Sequence, residues 1–202
     1  MLDVALTGKE EAVANLTDFH RVAGEIGLSY CLMDGTLLGA LRDGDFCEND
    51  WDDIDIGILS KDYDRTGILI RAMAPLGFTV FKTLFYKSAV CREGRIEGIG
   101  LIRGTSHFDL IRVCHHPTRP ECYNLGSGPK GHMAFVYPDK HYATFGTVEF
   151  YGMTFRTPAD PEGFLTARYG DWRTEIRRPA FQWYEQSNRA SIRDDYDILI
   201  PT

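Results

Sequence analysis

The stretch Asp53-Ile-Asp-Ile-Gly-Ile58 alternates strictly between isoleucine and a carboxylate or glycine. Side chains along a strand point to opposite faces in turn. Ile54, Ile56 and Ile58 therefore belong in a core, while Asp53, Asp55 and Gly57 share the other face, with Gly57 expected to leave room beside the acids. Two anions side by side repel and raise each other's pKa unless a cation neutralises them. A divalent metal is the economical cation, because carboxylate oxygens are hard ligands and Mg²⁺ commonly takes one or two of them plus substrate phosphates.

Two further segments extend this pattern. In Ser106-His-Phe-Asp-Leu-Ile-Arg-Val113, Asp109 is embedded in a second apolar run. If that strand neighbours the first, Asp109 joins Asp53 and Asp55, and three carboxylates on adjacent strands suffice for two metals roughly 3.5–4 Å apart. Upstream, Gly35-Thr-Leu-Leu-Gly-Ala-Leu-Arg42 reads as a tight entry to a short helix. A helix N-terminus offers unpaired N–H groups to an anion. Gly35 is thus expected to let a phosphate approach the backbone, the Thr36 hydroxyl to donate to it, and Arg42 to add a bidentate contact.

Around these segments the periodicity predicts a helix from Lys9 to Ile26 stopped by Gly27, and a short strand at Leu28–Met33. A helix capped by Ser60 is expected to end near Pro75-Leu-Gly77, followed by successive strands from Phe78 to Val113. Cys114–Gly131 has the Pro, Gly and Ser content of a loop. Thr144–Pro158 predicts a hairpin turning at Tyr151-Gly152. A last helix is expected behind Asp160 and Pro161, ending at Gly170. The order describes an α+β chain, read as one domain over residues 1–202 with 173–202 a C-terminal extension.

Composition narrows the function classes. Lys and Arg total 22 against 29 Asp and Glu, a net charge of −7, which argues against a sequence-independent nucleic-acid binder. No window approaches the roughly 18 apolar residues of a membrane span, and the N-terminal residues carry no basic-then-apolar signal. Five cysteines without a Cys-x-x-Cys pair read as free thiols, and the expected compartment is the cytoplasm. Cys114, His115, His116 and Cys122, with His132 beyond, have zinc-type side chains but no standard zinc spacing. The aromatics of Phe181-Gln-Trp-Tyr184 are either core residues or a stacking surface for a base.

Strand, Gly-Thr turn, helix, Asp-x-Asp strand and third acid occur in the order of the nucleotidyltransferase fold. More narrowly, Asp34-Gly-Thr-Leu-Leu-Gly-Ala-Leu-Arg42 followed by Trp51-Asp-Asp-Ile-Asp-Ile-Gly57 resembles the LicD/fukutin-related family. So do His107-Phe-Asp-Leu-Ile-Arg-Val113 and the closing Tyr169-Gly-Asp-Trp172, and the matches span most of Ser29 to Trp172. The family's run of aspartates after the Trp is here one shorter. The resemblance implies a nucleotidyltransferase-like mixed sheet flanked by helices. It also implies Mg²⁺- or Mn²⁺-dependent transfer of a phospho-alcohol (phosphocholine, ribitol phosphate or similar) from a CDP-activated alcohol donor to a glycan or sugar hydroxyl. Asp53, Asp55 and Asp109 would be catalytic and hold the metal, with Asp109 a candidate base. Gly35, Thr36, Arg42 and Asp52 would bind substrate. Two other readings remain open: attachment of a nucleoside monophosphate from a triphosphate, and a nucleotide-binding domain without turnover.

Overall fold

A computed structural model describes residues 7–48, 50–86, 95–116, 119–128, 131–175 and 189–190. Helix α1 (Gly8–Glu25) begins with a reciprocal cap: the Glu10 amide donates to Thr7 Oγ1 and the Thr7 amide to Glu10 Oε2. It ends before Gly27, whose φ of +65° only glycine adopts cheaply. Ala12, Leu16, Phe19 and Ala23 recur on one face and are fully buried. Phe19 stacks on Phe108 with ring centroids 4.9 Å apart.

An eight-stranded mixed sheet carries the site. Strands β1 (Cys31–Leu32), β2 (Asp53–Leu59) and β5 (Ser106–His115) lie side by side, with β1–β2 antiparallel and β2–β5 parallel. On the far side of β5 follow β4 (Arg95–Arg103) and then β3 (Thr79–Tyr86), both antiparallel pairings. Helix α2 (Asp34–Arg42) links β1 to β2. Ile54, Ile56 and Ile58 have no exposed surface, as their alternation requires.

Three local expectations change. Cys114–Gly131 is largely strand: β5 runs to His115, and β6 (Glu121–Gly128) pairs antiparallel with β7 (Gly131–Pro138). Turn residues at the ends of these strands dominated the composition and hid the alternation between them. The segment after β2 starts as a 3₁₀ turn, Ser60–Arg65, without a side-chain cap, and becomes helix α3 only at Thr66–Met73. Tyr63 sits in that turn, buried, donating its hydroxyl hydrogen to the Leu110 carbonyl at 2.8 Å. Gly57 makes room for Met33 rather than for the carboxylates, because a Cβ there would lie 2.2 Å from Met33 Sδ.

The hairpin and the last helix match their sequence signals. Strands β8 (Phe145–Phe150) and β9 (Met153–Pro158) form a hairpin whose turn residues Tyr151 and Gly152 both have positive φ. Helix α4 (Pro161–Tyr169) starts with Asp160 accepting the Gly163 amide. Residues Arg189–Ala190, β10, add an edge strand to β7. The predicted aromatic run at 181–184 lies outside the described residues.

One contact fixes the seat of α2. A Cβ on Gly39 would lie 2.4 Å from the Asp45 carbonyl oxygen and 2.8 Å from the Cys47 amide nitrogen. Both are backbone atoms and cannot rotate away. Gly39→Ala is therefore expected to destabilise the protein by about 1–3 kcal/mol, read as a lower denaturation midpoint in urea at unchanged slope.

Candidate active site

The connection from β1 to β2 ties its two ends to each other. The Gly35 amide donates to Asp55 Oδ2 at 2.9 Å, and the Asp55 amide donates to Thr36 Oγ1 at 2.9 Å. The first turn of α2 thus holds the strand carboxylate directly. A Cβ on Gly35 would lie 2.6 Å from Asp50 Oδ2, so glycine is what lets Asp50 close in on the same point. Asp34 opens the helix at φ +41° and is buried against Arg168 of α4.

Register places the acids in one row. Asp55 lies opposite Asp109 on β5, Asp109 opposite Gly100 on β4, and Gly100 opposite Lys82 on β3. Directly opposed residues share a face. The Lys82 side chain crosses the bare Gly100 position, where a Cβ would lie 2.6 Å from Lys82 Cγ, and its ammonium donates to Asp109 Oδ2 at 2.7 Å. One step along the strands, Asp53 opposes His107, with Oδ1 and Nε2 3.0 Å apart.

Asp53, His107 and Asp109 can each turn one ligand atom to a common point, all within 4.8 Å of one another. Among the described residues no other group of three His, Cys, Asp or Glu converges in this way, and that includes Cys114, His115, His116 and Cys122. The donor set suits a divalent cation: the two carboxylates are the hard oxygen ligands that Mg²⁺ and Mn²⁺ take, and the imidazole adds one nitrogen. Asp109 Oδ1, buried and without a hydrogen-bond partner, is a free ligand atom at this point. His107 escaped the sequence reading, although its signal was present. It precedes Asp109 by two positions, as Asp53 precedes Asp55, so both pairs put their side chains on one face.

The cleft over this face measures about 780 Å³ and is lined by Asp34, Gly35, Asp50, Asp53, Asp55 and Asp109 at its acidic end. Lys82, Thr83, Glu97, Asn124, Arg168 and Tyr169 supply the rest of its polar wall. Of the residues expected to bind substrate, Gly35 lines the cleft, with its amide committed to Asp55. Thr36 is buried behind it at 1% exposure. Arg42 lies at the opposite end of α2, chelating Asp43 through Nε at 2.9 Å and Nη2 at 2.8 Å. Asp52 is exposed, and its carbonyl accepts the His107 amide. Neither Arg42 nor Asp52 is among the residues that line the cleft.

The acids shift one another in a consistent direction. Burial, then the charges of Asp53, Asp34, Asp109 and Asp50, hold the Asp55 carboxyl well above its ordinary 3.8. Burial and then Asp53 raise Asp109, against the opposing pull of Lys82. The hydrogen bond with Asp53 raises His107 above 6.5. All three bind a proton more tightly when folded than when unfolded. Their contribution to stability is complete below the ordinary values and is lost as pH rises through the raised ones. These three groups therefore withdraw stability from the metal-free protein as pH rises, opposed by His20 and His141, which burial lowers. A divalent cation takes the protons' place, so the increase in Tm on adding Mn²⁺ should grow between about pH 5 and about pH 8, as differential scanning calorimetry would show.

The fold and this acidic face define a nucleotidyltransferase-type domain. Residues 27–160 match the model for the LicD/FKTN/FKRP nucleotidyltransferase domain, and the chain belongs to that family. It is 27% identical over 157 residues to the uncharacterized protein RP689 of Rickettsia prowazekii (strain Madrid E), covering 78% of this chain and 53% of that one. It is likewise 27% identical over 157 residues to the uncharacterized protein RT0683 of Rickettsia typhi (strain ATCC VR-144 / Wilmington), covering 78% and 45%. The match thus spans about half the length of these curated relatives. Similar solved structures include ANT(2")-Ia in complex with adenylyl-2"-tobramycin, at TM-score 0.44, 19% identity and coverage of 73% and 68%. The solution structure of the antibiotic-resistance factor ANT(2'')-Ia gives 0.44, 16%, 76% and 67%. Among the described residues no helix is long and apolar enough to cross a membrane.

Proposed function

We propose that this protein transfers a phospho-alcohol from a CDP-activated donor to a sugar hydroxyl in a divalent-metal-dependent reaction. The observation that carries the reading is the convergence of Asp53, His107 and Asp109 beside Asp55 on one face of the sheet, with the three acids lining one cleft. Asp53, His107 and Asp109 would hold a cation, Mg²⁺ or Mn²⁺, and that cation supplies charge neutralisation for the diphosphate. Asp55, fixed by the Gly35 amide, completes the acidic wall. The acceptor oxygen bonds to the phosphorus that carries the alcohol. The bond from that phosphorus to the bridging oxygen breaks, and CMP departs with the electron pair. Asp109, a ligand through Oδ1, would take the hydroxyl proton on Oδ2, the oxygen that Lys82 reaches. Lys82 places its ammonium beside the same atoms, where negative charge develops. The four described cysteines are free thiols, which supports the cytoplasm as the compartment.

Incubating the protein with CDP-choline, CDP-ribitol, CTP and ATP, with and without EDTA, tests the reading. Metal-dependent release of CMP from a CDP-alcohol is expected. Pyrophosphate release from a triphosphate would instead establish nucleotidyl transfer, and no cleavage of any of the four would leave a binding domain.

A further inference from the structure

The same cleft carries a further set of polar groups, contributed by α4 and β6. Arg168 on α4 and Asn124 on β6 are each 4% exposed and both line it. Asp34 grips the guanidinium, accepting from Nε at 3.1 Å and from Nη2 at 3.4 Å. Arg168 Nη1 is left buried with no hydrogen-bond partner, and so is Asn124 Oδ1. Phe135 brings the two together. Its ring lies under the guanidinium, 3.9 Å from Cζ to centroid, and it is the cross-strand partner of Asn124 on the same face of the sheet.

Buried polar atoms without partners are uncommon and cost stability, so a donor and an acceptor that both neighbour Phe135 in one cleft call for a ligand that completes both. The charges select its chemistry. Asp34 already neutralises Arg168, so a phosphate would find no net positive charge here, and its oxygens would face the Asn124 carbonyl oxygen, acceptor against acceptor. A neutral group with a lone pair next to an O–H fits: Nη1 donates to one hydroxyl oxygen while a neighbouring hydroxyl donates to Oδ1. Adjacent hydroxyls of a polyol or sugar provide this. A trimethylammonium group provides neither.

We propose that Asn124 and Arg168 form a hydroxyl-reading subsite that selects a polyol or sugar over choline. The proposal rests on the CDP-alcohol reading above. The hydroxyls would belong either to the transferred alcohol or to the acceptor sugar.

Asn124→Leu, in the full chain, removes the acceptor and keeps the number and branching of the side-chain heavy atoms. The loss of an unpaired polar atom should leave Tm unchanged or higher. Calorimetric titrations with CDP-ribitol, CDP-choline, CMP, ribitol and methyl glucoside, each in the presence of Mn²⁺, separate the outcomes. CDP-ribitol binding is expected to weaken roughly 5–10-fold, with CDP-choline and CMP unchanged; a selective loss for methyl glucoside instead would assign the subsite to the acceptor. Equal weakening of all three cytidine ligands would place the base there and overturn the proposal, as would no change with any ligand. If the native protein bound no cytidine ligand, the donor reading would fall. The subsite would then be upheld by Asn124-dependent binding of ribitol or methyl glucoside and overturned by its absence.

Discussion

Asp109→Asn should lower metal-dependent turnover by about 10²–10³-fold and at the same time raise the Tm of the metal-free protein. The amide keeps the carboxylate's shape but brings no charge to the cation and takes no proton from an attacking hydroxyl. Without metal the native carboxylate is a burden, since burial and Asp53 both oppose its ionisation. Lys82 offsets only part of this, being half-exposed and free to return to water. Opposite signs for activity and stability are the signature of a group kept for chemistry. Steady-state CMP release and calorimetry on the same preparation check both. A variant that lost stability along with turnover would show Asp109 to be a structural residue.

The largest stability loss is expected at the buried pair of Asp34 and Arg168. Their side chains are 11% and 4% exposed, so neither charge can fall back on water. Asp34→Asn keeps a residue that tolerates the φ of +41° and removes only the charge. An uncompensated buried guanidinium should cost about 3–5 kcal/mol, which for a domain of this size lowers Tm by roughly 10 °C. The double variant Asp34→Asn with Arg168→Met removes both charges and should recover most of the loss. Urea denaturation of the two single variants and the double variant gives the coupling directly. A double variant no better than Asp34→Asn would mean that the two charges do not stabilise each other.

How far the sequence discloses this site depends on which interactions are local. Asp53, Asp55 and Asp109 could be singled out because strand periodicity alone puts them on a polar face, and His107 obeys the same rule. The Gly35–Thr36 turn was visible as a turn, but not its partner: a helix N-terminus suits a phosphate and a carboxylate equally, and only register decides that Asp55 takes the amide. Arg42 shows the limit of helical spacing. It stands two turns along α2 from Gly35, which carries its side chain away from the cleft and next to Asp43. The pairing of Asp34 with Arg168 spans most of the chain and leaves no trace in spacing. Within Cys114–Gly131, turn residues at strand ends outweighed the alternation of Tyr123, Asn124 and Leu125, and Asn124 went unnoticed with it.

The mutual tie between α2 and β2 has a kinetic corollary. Because each element supplies the amide that the other's side chain accepts, fraying of the helix start unhooks the strand's aspartate, and slippage of the strand strips the helix of its threonine bond. The amides of Gly35 and Asp55 are consequently expected to exchange hydrogen in one opening event, which would release the Asp55 carboxylate with them.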